Sequence, residues 1–380
     1  MKAIDLVVLG GGIAGCALAW QCRMRGLRVL LIDHPQPDSA SRVAAGLVTP
    51  VTGSRFALSW RWDLFFSAAD TLYRYAEQEA GTNFWKIATA WRAFTSSQEA
   101  MLCTDRWLTT EGGSRVERGE GERSQVELRP LELDRLPSTL RDFGGVSMAP
   151  AARLDVGTYL EATREVWARE GLLLSLDVDV DRDLHPHNDS VRIPSLGVTA
   201  RWAVLCQGVR ARGNRWFSEL PLHPARGDIL SIRSERFRLD HVLHHEGWIV
   251  PVAMDRFLLG ATYDRHDVNT CPSTPVALRW RDELAARWKR MTGEELGSHG
   301  AEILAHRIAV RPASYDRHPL LGPRLETPNI LCFNGLGSKG SLMAPWLADH
   351  LLDHLLENQS VDPSLLWFRR GTHASREQDR

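Results

Sequence analysis

The sequence predicts an α/β fold in which a nucleotide-binding domain, built from separate segments, is combined with an antiparallel β-rich domain. Two stretches predict the first domain, residues 6–25 and 330–356, because each passes from an apolar strand through a glycine-rich loop into a helix. The segments between them are mostly short apolar runs bounded by turn residues, which is typical of antiparallel strands. Because similar units lie near both ends of the chain, we expect the nucleotide-binding domain to be discontinuous.

The first stretch opens a complete βαβ unit that runs from Leu6 to Asp33. A short apolar strand is followed by a glycine motif, a helix over 13–25 and a second apolar strand at 28–32. The glycines of the motif are Gly10, Gly12 and Gly15. In a Rossmann-like unit they form the tight turn, admit a pyrophosphate and let the helix pack on the strand, while Asp33 reaches a ribose hydroxyl. We therefore predict a bound dinucleotide, the alternative being a glycine-rich turn in another kind of α/β protein.

Composition argues against several classes of protein. The 380 residues are 43% hydrophobic and 24% charged, which is ordinary for a globular chain of two domains, and the net charge is −1. No apolar run reaches the ~18–20 residues that span a bilayer. The chain starts directly in its first strand without signal-peptide anatomy, and its six cysteines form no CxxC pair. We expect a cytoplasmic protein with reduced thiols, no membrane span and no nucleic-acid partner.

The remaining elements are predicted from apolar spacing and turn residues. Helices are expected at 59–81, 98–107, 156–169 (with Asp155 as N-cap), 275–292 and 341–356. Strands are expected at 84–95, 172–180, 198–206, 226–231, 248–251, 257–262, 302–308 and 330–333. Residues 109–141 are charged and weakly patterned, so we interpret them as a hairpin with an exposed loop at 117–124. The polar residues from about 371 onward are expected to be disordered.

Eight segments, in this order, cover most of the chain. They read GGGIAGCALA with LLID, SRVAAGLVTPVTG, RLDVGTYLEATREVWAREG, VLCQG, ARGDIL, WIVP with FLLGATY, RPASYDRHPLLG and NGLGSKGSLMAP. Taken together, they resemble the FAD-dependent oxidoreductases of the D-amino-acid-oxidase type, which include glycine oxidase and sarcosine oxidase. The segments AAGLVTPVTG and GLGSKG are most similar to a group of bacterial members whose substrate is poorly defined.

The resemblance implies a Rossmann-like FAD-binding domain, discontinuous in sequence, and an antiparallel β-rich substrate domain. The predicted FAD-binding domain comprises residues 1–82, 145–221 and 305–380, and the predicted substrate domain comprises 83–144 and 222–304. In this interpretation the segment RLDVGTYLEATREVWAREG precedes the adenine-facing strand, and ARGDIL begins the substrate sheet.

The resemblance also implies which residues contact FAD. The predicted cofactor-binding residues are Gly10, Gly12, Ile13, Ala14, Gly15, Asp33, Arg42, Ala44, Ala45, Gly46, Val180, Gly208, Gly335, Gly337, Ser338, Lys339 and Gly340. Asp33 stands where the family usually has Glu, but either carboxylate accepts from a ribose hydroxyl. Residues 42–53 contain no His or Cys to which a flavin could be attached, so non-covalent FAD is expected. We interpret Cys332 as a buried strand thiol rather than as an attachment point.

Three residues are candidates for the chemistry beside the flavin. By resemblance to glycine oxidase, Arg311 holds the substrate carboxylate with its planar fork, the alternative being a structural ion pair with Asp316 or another acid. Trp248 corresponds to an aromatic wall over the substrate, the alternative being a core side chain. Lys339 and the N-terminus of the last helix are expected to stabilise negative charge on the reduced ring, unless Lys339 points to solvent.

The resemblance implies an enzyme that oxidises the C–N bond of an amino acid or secondary amine by hydride transfer to flavin, with hydrolysis of the imine afterwards. O2 or a quinone would reoxidise the flavin. Two alternatives stay open: a tRNA-modification oxidoreductase acting on carboxymethylaminomethyl uridine, against which the balanced charge argues, and a flavoprotein that is not an enzyme. The histidines at 241, 244 and 245 lack the spacing of a metal site, so no metal is expected.

Overall fold

The computed structural model describes residues 4–108, 126–297 and 300–369. In these residues the strands are β1 (Ile4–Leu9), β2 (Val29–Ile32), β3 (Leu47–Val48), β4 (Val51–Thr52), β5 (Ala57–Leu58), β6 (Trp85–Ala93), β7 (Glu127–Pro130), β8 (Gly145–Leu154), β9 (Leu173–Leu174), β10 (His185–His187), β11 (Ser190–Ile193), β12 (Val198–Leu205), β13 (Ala225–Ser234), β14 (Val242–His244), β15 (Trp248–Ala253), β16 (Arg256–Gly260), β17 (Ala301–Arg311), β18 (Leu320–Arg324) and β19 (Thr327–Asn334). The α-helices are α1 (Ile13–Met24), α2 (Ala40–Val43), α3 (Trp62–Ala80), α4 (Ser97–Trp107), α5 (Val156–Arg169), α6 (Val180–Asp183), α7 (Pro275–Thr292) and α8 (Gly340–Glu357).

The first sheet contains the predicted βαβ unit. Its strand order is β10-β11-β12-β1-β2-β9, and β19 joins β12 to β18. Strands β9, β2, β1, β12 and β19 form parallel pairs, whereas β11 and β18 are antiparallel to their partners. A parallel sheet is buried on both faces, and β1 illustrates this, because Leu6 and Val8 belong to one core cluster and Val7 and Leu9 to another.

The second sheet is mainly antiparallel. Its strand order is β17-β13-β16-β15-β14-β6-β8-β3, and β7 pairs with β8. Within the described part of this second sheet, β14 and β6 form the only parallel pair. Helix α7 packs on β13 and β16. Strands β4 and β5 form a separate small hairpin. A parallel sheet and an antiparallel sheet in one chain confirm the predicted α/β class.

Most predicted elements are confirmed with small differences at their ends. Asp155 caps α5 as expected, because its side chain accepts from the Thr158 backbone N–H. The predicted strand over 172–180 is wrong beyond its start, since β9 contains only Leu173 and Leu174. Valine and aspartate alternate after that point, but the Asp179 side chain accepts from two following backbone N–H groups and starts the short helix α6.

The predicted domain limits do not coincide with the two sheets. Strands β8 and β17 both belong to the second sheet, although the limits at 145 and 305 assign β8 and most of β17 to the first domain. The limits remain a prediction. The predicted loop at 117–124 and the predicted disorder from 371 lie outside the described residues. In the part of the chain that is described, no helix is long and apolar enough to cross a membrane.

Candidate functional site

Four parallel strands end at one edge of the first sheet and create the site. The backbone register places Leu9 of β1 beside Ile32 of β2 and Leu205 of β12, and Leu205 lies beside Cys332 of β19. The residues that follow these strands are the motif glycines, Asp33, Cys206 and the loop from Gly335. Ligands of open α/β sheets bind at this carboxyl edge.

A cleft of two adjoining cavities runs along this edge. The outer cavity has a volume of about 570 Å³ and lies over Asp33 and Arg42. The inner cavity has a volume of about 180 Å³ and ends at Trp248 and Arg311 of the second sheet. Both cavities are lined by Gly12 and Gly208, among other residues, so they are two parts of one continuous cleft.

The turn between β1 and α1 is shaped for close approach of a ligand. Gly12 is the N-cap of α1 and supplies no capping side chain, while the Ile13 N–H donates to Ser41 Oγ at 3.0 Å. A Cβ on Gly15 would overlap the Gly10 carbonyl oxygen, so only glycine lets α1 pack this close to the strand end. The first turn of α1 carries no acidic residue. Its positive dipole end therefore meets no acidic side chain from its own first turn, which favours binding of a pyrophosphate.

Asp33 already accepts two hydrogen bonds. Its Oδ1 accepts from the Gly11 N–H at 2.8 Å and its Oδ2 accepts from Arg164 at 2.7 Å. A carboxylate has about four lone-pair sites, so a ribose hydroxyl can donate to Asp33 as a further partner. Arg164 of α5, which the sequence analysis missed, fixes the direction of the carboxylate.

Two further segments line the inner cavity with small residues. Ala44 and Ala45 lie along the cavity beside Gly46, whose φ of +72° and contact with the Leu154 carbonyl require glycine. On the opposite side, α8 begins at Gly340, and a Cβ there would lie 2.9 Å from Ile13 Cγ2. Helix α8, like α1, has no acid in its first turn. These residues fit the FAD that the sequence resemblance implies, because glycines and two helix N-termini surround a flat, narrow cleft.

Arg311 is the last residue of β17, and its side chain lies flat across Gly227 of β13. Any Cβ at Gly227 would overlap the guanidinium. Arg311 donates to the Arg226 carbonyl at 3.0 Å and to the Thr262 carbonyl at 3.3 Å. Burial lowers the pKa of Arg311, whereas the charges of Tyr263 and Asp228 act in the opposite direction. The alternative ion pair with Asp316 is wrong, because Asp316 pairs with Arg369 instead.

Trp248 lines the same cavity from β15. It lies opposite Gly260 of β16, and a Cβ on that glycine would lie 2.5 Å from the Trp248 ring. The ring is half-buried and packs against the side chains around Ile229 while one part faces the cavity. Trp248 is therefore a packed side chain that also lines the cavity, and its role as a wall over the substrate stays a prediction.

A buried carboxylate lies behind Arg311, on the other face of β13. Asp228 binds Arg226 through two hydrogen bonds of 2.9 Å, accepts from Thr262 Oγ1 at 2.9 Å and lies 2.9 Å from His306 Nε2. Asp228 and Arg226 are fully buried. Burial alone would raise the pKa of Asp228, but the hydrogen bonds from His306, Arg226 and Thr262 hold it below its usual range. Arg226 and Thr262 supply the backbone carbonyls that orient Arg311. Asp228 therefore stabilises the position of Arg311 indirectly, because it binds the side chains of both of these residues.

Lys339 does not line the cleft. Its Nζ donates to Ser59 Oγ at 2.9 Å and to Thr52 Oγ1 at 3.2 Å, beside the β4–β5 hairpin. The interpretation that Lys339 points to solvent is wrong, because its ammonium group is held by these two hydroxyls inside the protein. Burial there lowers the pKa of Lys339 to about 8. Lys339 therefore fastens the loop before α8, and any effect on a bound ring acts at a distance.

The structure brings most of the predicted residues together along the cleft. The predicted residues that line it are Gly10, Gly12, Ile13, Ala14, Asp33, Arg42, Ala44, Ala45, Gly46, Gly208, Trp248, Arg311, Gly337, Ser338 and Gly340. Those that do not line it are Gly15, Val180, Gly335 and Lys339. Val178 lines the outer cavity where Val180 was expected, because the predicted strand ends early. Contacts with the cofactor itself stay predictions.

Sequence reasoning missed the residues that shape the inner end of the cleft. The Arg311 side chain packs on Gly227, and the Trp248 ring packs on Gly260. Asp228 binds Arg226 on the opposite face of β13. The one available signal was the acid in ARGDIL, since a carboxylate inside an apolar strand requires a buried partner. The two glycines have no such signal, because their role depends on side chains from other strands.

Comparison with known proteins gives a consistent result. The family model described as FAD dependent oxidoreductase matches residues 5–354. The tRNA 5-methylaminomethyl-2-thiouridine biosynthesis bifunctional protein MnmC of Caulobacter vibrioides is 29% identical over 95% of this chain. The chain spans about half of that relative, 56% of its length. Glycine oxidase of Bacillus licheniformis is 24% identical over 94% of both chains.

Among solved structures, glycine oxidase from Geobacillus kaustophilus has a similar fold. The TM-score is 0.72, and the match covers 96% of this chain and 99% of that one at 20% sequence identity. At this identity the similarity concerns the fold alone.

Proposed function

The chain belongs to the family of FAD-dependent oxidoreductases, and from this membership we propose that it oxidises the C–N bond of an amino acid or secondary amine that carries a carboxylate. The observation that carries the proposal is the charge of the inner cavity. Of the residues that the structure describes, Arg311 is the one charged side chain lining this cavity. An apolar chamber with a single cation suits a small substrate that binds through one carboxylate.

The orientation of Arg311 supports this role. Its bonds to the Arg226 and Thr262 carbonyls fix the guanidinium plane. A guanidinium has five N–H donors, so donors remain for a substrate carboxylate. A two-point bond of this kind sets the angle of the substrate as well as its distance.

The other side chains of the chamber position the substrate. FAD supplies the two-electron acceptor for the oxidation. Trp248 provides a flat wall opposite the small residues of the cleft, which limits how far the substrate can rotate. The Cys206 thiol also lines the cavity, but burial raises its pKa well above the usual value, so it stays protonated. An amine that arrives neutral needs no acid or base from the protein for this step.

A second candidate is an amine that forms part of a modified tRNA. The similarity to the MnmC protein favours it, because that relative is named for a step in tRNA modification. The net charge of −1 does not favour the binding of a polyanion such as tRNA. This candidate keeps the same bond chemistry and changes only what the amine is attached to.

The visible spectrum of the purified protein, followed by anaerobic titration with amines, tests the proposal. Flavin absorbance should be present and should bleach with at least one amino acid or N-alkyl amino acid. Reduction by a carboxymethylaminomethyl-uridine tRNA alone would favour the second candidate. A flavin that no amine of either kind reduces would refute amine oxidation.

A further inference from the structure

The segment after β16 extends the candidate substrate site outward from Arg311. It lies against β13, with hydrogen bonds that link Asp228 with Thr262 and Arg226 with Asp264. Alternate residues of an extended segment point to opposite sides. Thr262 and Asp264 are buried on one side. The other side therefore carries a row of residues, Ala261, Tyr263 and Arg265, that begins in the inner cavity with Ala261.

Tyr263 joins two guanidinium groups. The Arg311 guanidinium carbon lies 5.6 Å from the Tyr263 ring centroid, and that of Arg265 lies 5.5 Å from the same centroid. Tyr263 is 53% exposed, so this row runs from the inner cavity to the protein surface. A small molecule bound to Arg311 and passing along the ring would meet Arg265 next.

Arg265 is held in place by groups that carry no negative carboxylate. It donates to the Tyr263 hydroxyl at 3.0 Å and lies 2.5 Å from His223 Nδ1. His223 stacks on Tyr315 at 4.6 Å. Among the described residues, neither Arg265 nor Arg311 has a carboxylate oxygen within 4.0 Å. The half-buried guanidinium groups of Arg265 and Arg311 therefore both lie near the Tyr263 ring, and no carboxylate of the described residues neutralises either of them.

Arg265 and Tyr263 have N–H and O–H donors that no described residue uses, and these donors could bind an anion. Arg265 has five N–H groups, of which the hydrogen bonds above use only some. In the hydrogen bonds of the described residues the Tyr263 hydroxyl acts only as an acceptor, so its own hydrogen is available to a ligand. A carboxylate placed here would receive bonds from a guanidinium and from a phenol.

We propose that the substrate is an amine with two anionic groups, the first bound by Arg311 and the second bound by Arg265 and the Tyr263 hydroxyl at the protein surface. This inference rests on the proposed function and narrows it to dicarboxylic amines. Arg265 thereby determines specificity, because it contacts the substrate away from the reacting C–N bond. An amide in place of the second carboxylate loses the ionic part of the interaction.

The test uses pairs of compounds that differ only in this charge. Glutamate and glutamine, aspartate and asparagine (both enantiomers of each), and N-(carboxymethyl)glycine and its monoamide are compared as substrates of the FAD-containing enzyme in steady-state turnover with an artificial electron acceptor. For at least one pair the acid should have a KM lower than its amide by ~10-fold or more, as for one charge-assisted pair. Calorimetric titration with glutarate and its monoamide, which cannot be oxidised in this way, should show the same preference.

Substitution of Arg265 separates the subsite from the rest of the site. In Arg265→Gln the ratio of the amide's KM to the acid's KM should fall from ~10 or more to about 1, because the ionic part of the interaction with the second carboxylate is lost. Arg265→Lys keeps the charge and should retain part of the preference. Arg201→Gln is the matched control, since Arg201 also lies over an aromatic ring, that of Trp202 at 4.1 Å, and is exposed. It should leave this ratio unchanged.

Different failures have different meanings. Equal KM values for acid and amide in the unaltered enzyme, or an equal loss for both in Arg265→Gln, would overturn the second subsite and leave the proposed function standing. If no compound of either kind reduces the flavin, the proposed function fails and this inference fails with it. Tighter binding of a tRNA than of any dicarboxylate, lost in Arg265→Gln, would assign Arg265 to a phosphate and overturn the small-molecule substrate.

Discussion

Asp228 is the single residue on which the orientation of Arg311 most depends. Its carboxylate binds the Arg226 guanidinium and the Thr262 hydroxyl, and the carbonyls of those same two residues accept from Arg311. Asp228 and Arg226 are both fully buried. Removing one partner of a buried ion pair leaves the other charge without compensation.

Asp228→Asn should therefore lower the free energy of unfolding by about 3–5 kcal/mol, measured by urea denaturation. Asp177→Asn is the control, because the Asp177–Arg210 pair is about half exposed, with side-chain exposures of 52% and 50%, and such pairs contribute about 0–1 kcal/mol. Equal unfolding midpoints for the two variants would show that Asp228 is not a structural centre of the site.

The sequence indicated two side chains that line the inner cavity, but not the residues that support them. The resemblance singled out Arg311 and Trp248, and both line the inner cavity. Asp228 could not be connected to Arg311 in advance, because its partners Thr262 and His306 are 34 and 78 residues away in sequence. Contacts across strands of a mixed-order sheet have no local pattern in the chain.

The β1–α1 turn is the element in which we expect the pyrophosphate of FAD to bind. A Cβ on Gly12 would lie 3.0 Å from Ser41 Oγ, the group that accepts from the Ile13 N–H. A branched side chain would fill the space that a pyrophosphate needs. The rest of α1 does not depend on this position, since its core residues lie further along the helix.

Gly12→Val should remove FAD from a protein that still folds, measured by the ratio of flavin absorbance to protein absorbance after purification. Gly157→Ala serves as the control, because a Cβ at Gly157 in α5 makes only an ordinary contact, 3.6 Å from Asp155 Oδ1. Full flavin content in a folded Gly12→Val protein would mean that the phosphates bind elsewhere.

The loop before α8 is a second element with a measurable property. Burial lowers the pKa of Lys339 from its ordinary value of 10.5 to about 8, so the folded state binds this proton less tightly than the unfolded state. Stability rises with pH wherever the unfolded state holds more protons. Lys339 therefore makes the folded state more stable as the pH increases from about 8 to about 10.5.

In FAD-free protein, the difference in unfolding free energy between the unaltered chain and Lys339→Met should grow in favour of the unaltered chain across this pH range. Urea denaturation at several pH values measures it. Lys289→Met is the control, because the Lys289 side chain is 57% exposed and its pair with Glu295 lies at the surface. Parallel curves for all three proteins would show that Lys339 is solvated.

Elements with a strong local pattern were predicted well, and those set by tertiary contacts were not. Helices α3, α5, α7 and α8 follow apolar spacing and caps that can be seen in the sequence. The strand expected over 172–180 failed because alternating aspartates imitate a half-exposed strand, while Asp179 in fact caps a turn of helix. Val180 was predicted as a cofactor-binding residue at the end of that strand, whereas Val178 lines the outer cavity.

At the level of the whole molecule, the cleft is formed by both sheets. The first sheet supplies the glycine turn and Asp33, and the second supplies Gly227, Trp248 and Arg311. The sequence predicted two kinds of sheet from short-range signals. It did not predict the strand order of the second sheet, which decides which residues face the cleft.

This arrangement predicts that FAD is held by non-covalent contacts alone. Residues 42–53 contain no His or Cys, and Cys332 is buried in β19, with its Sγ directed to the Leu320 carbonyl. Precipitation with acid should release the yellow colour into the supernatant. Colour that stays in the pellet, or a flavin-labelled peptide after digestion, would contradict this prediction.

Arg311 is proposed to anchor a substrate carboxylate beside FAD, and variants on both sides of this contact can test it. Arg311→Lys keeps the charge but loses the planar fork, and Gly227→Ala keeps Arg311 but places a methyl group where the guanidinium lies. Gly213→Ala is the control, because a Cβ at that glycine meets nothing within 4 Å. All of these proteins should retain FAD, because Arg311 and Gly227 lie at the substrate end of the cleft.

The most direct measurement is the anaerobic rate of flavin reduction in these proteins by a reactive amino acid and by the matching amine without a carboxylate. Arg311→Lys and Gly227→Ala should each slow reduction by the amino acid at least ~10-fold, which corresponds to ~1.4 kcal/mol, and should change reduction by the plain amine far less. The account would be contradicted if both compounds were slowed equally, or if the variants lost FAD, because Arg311 would then be a structural residue and the carboxylate would bind elsewhere.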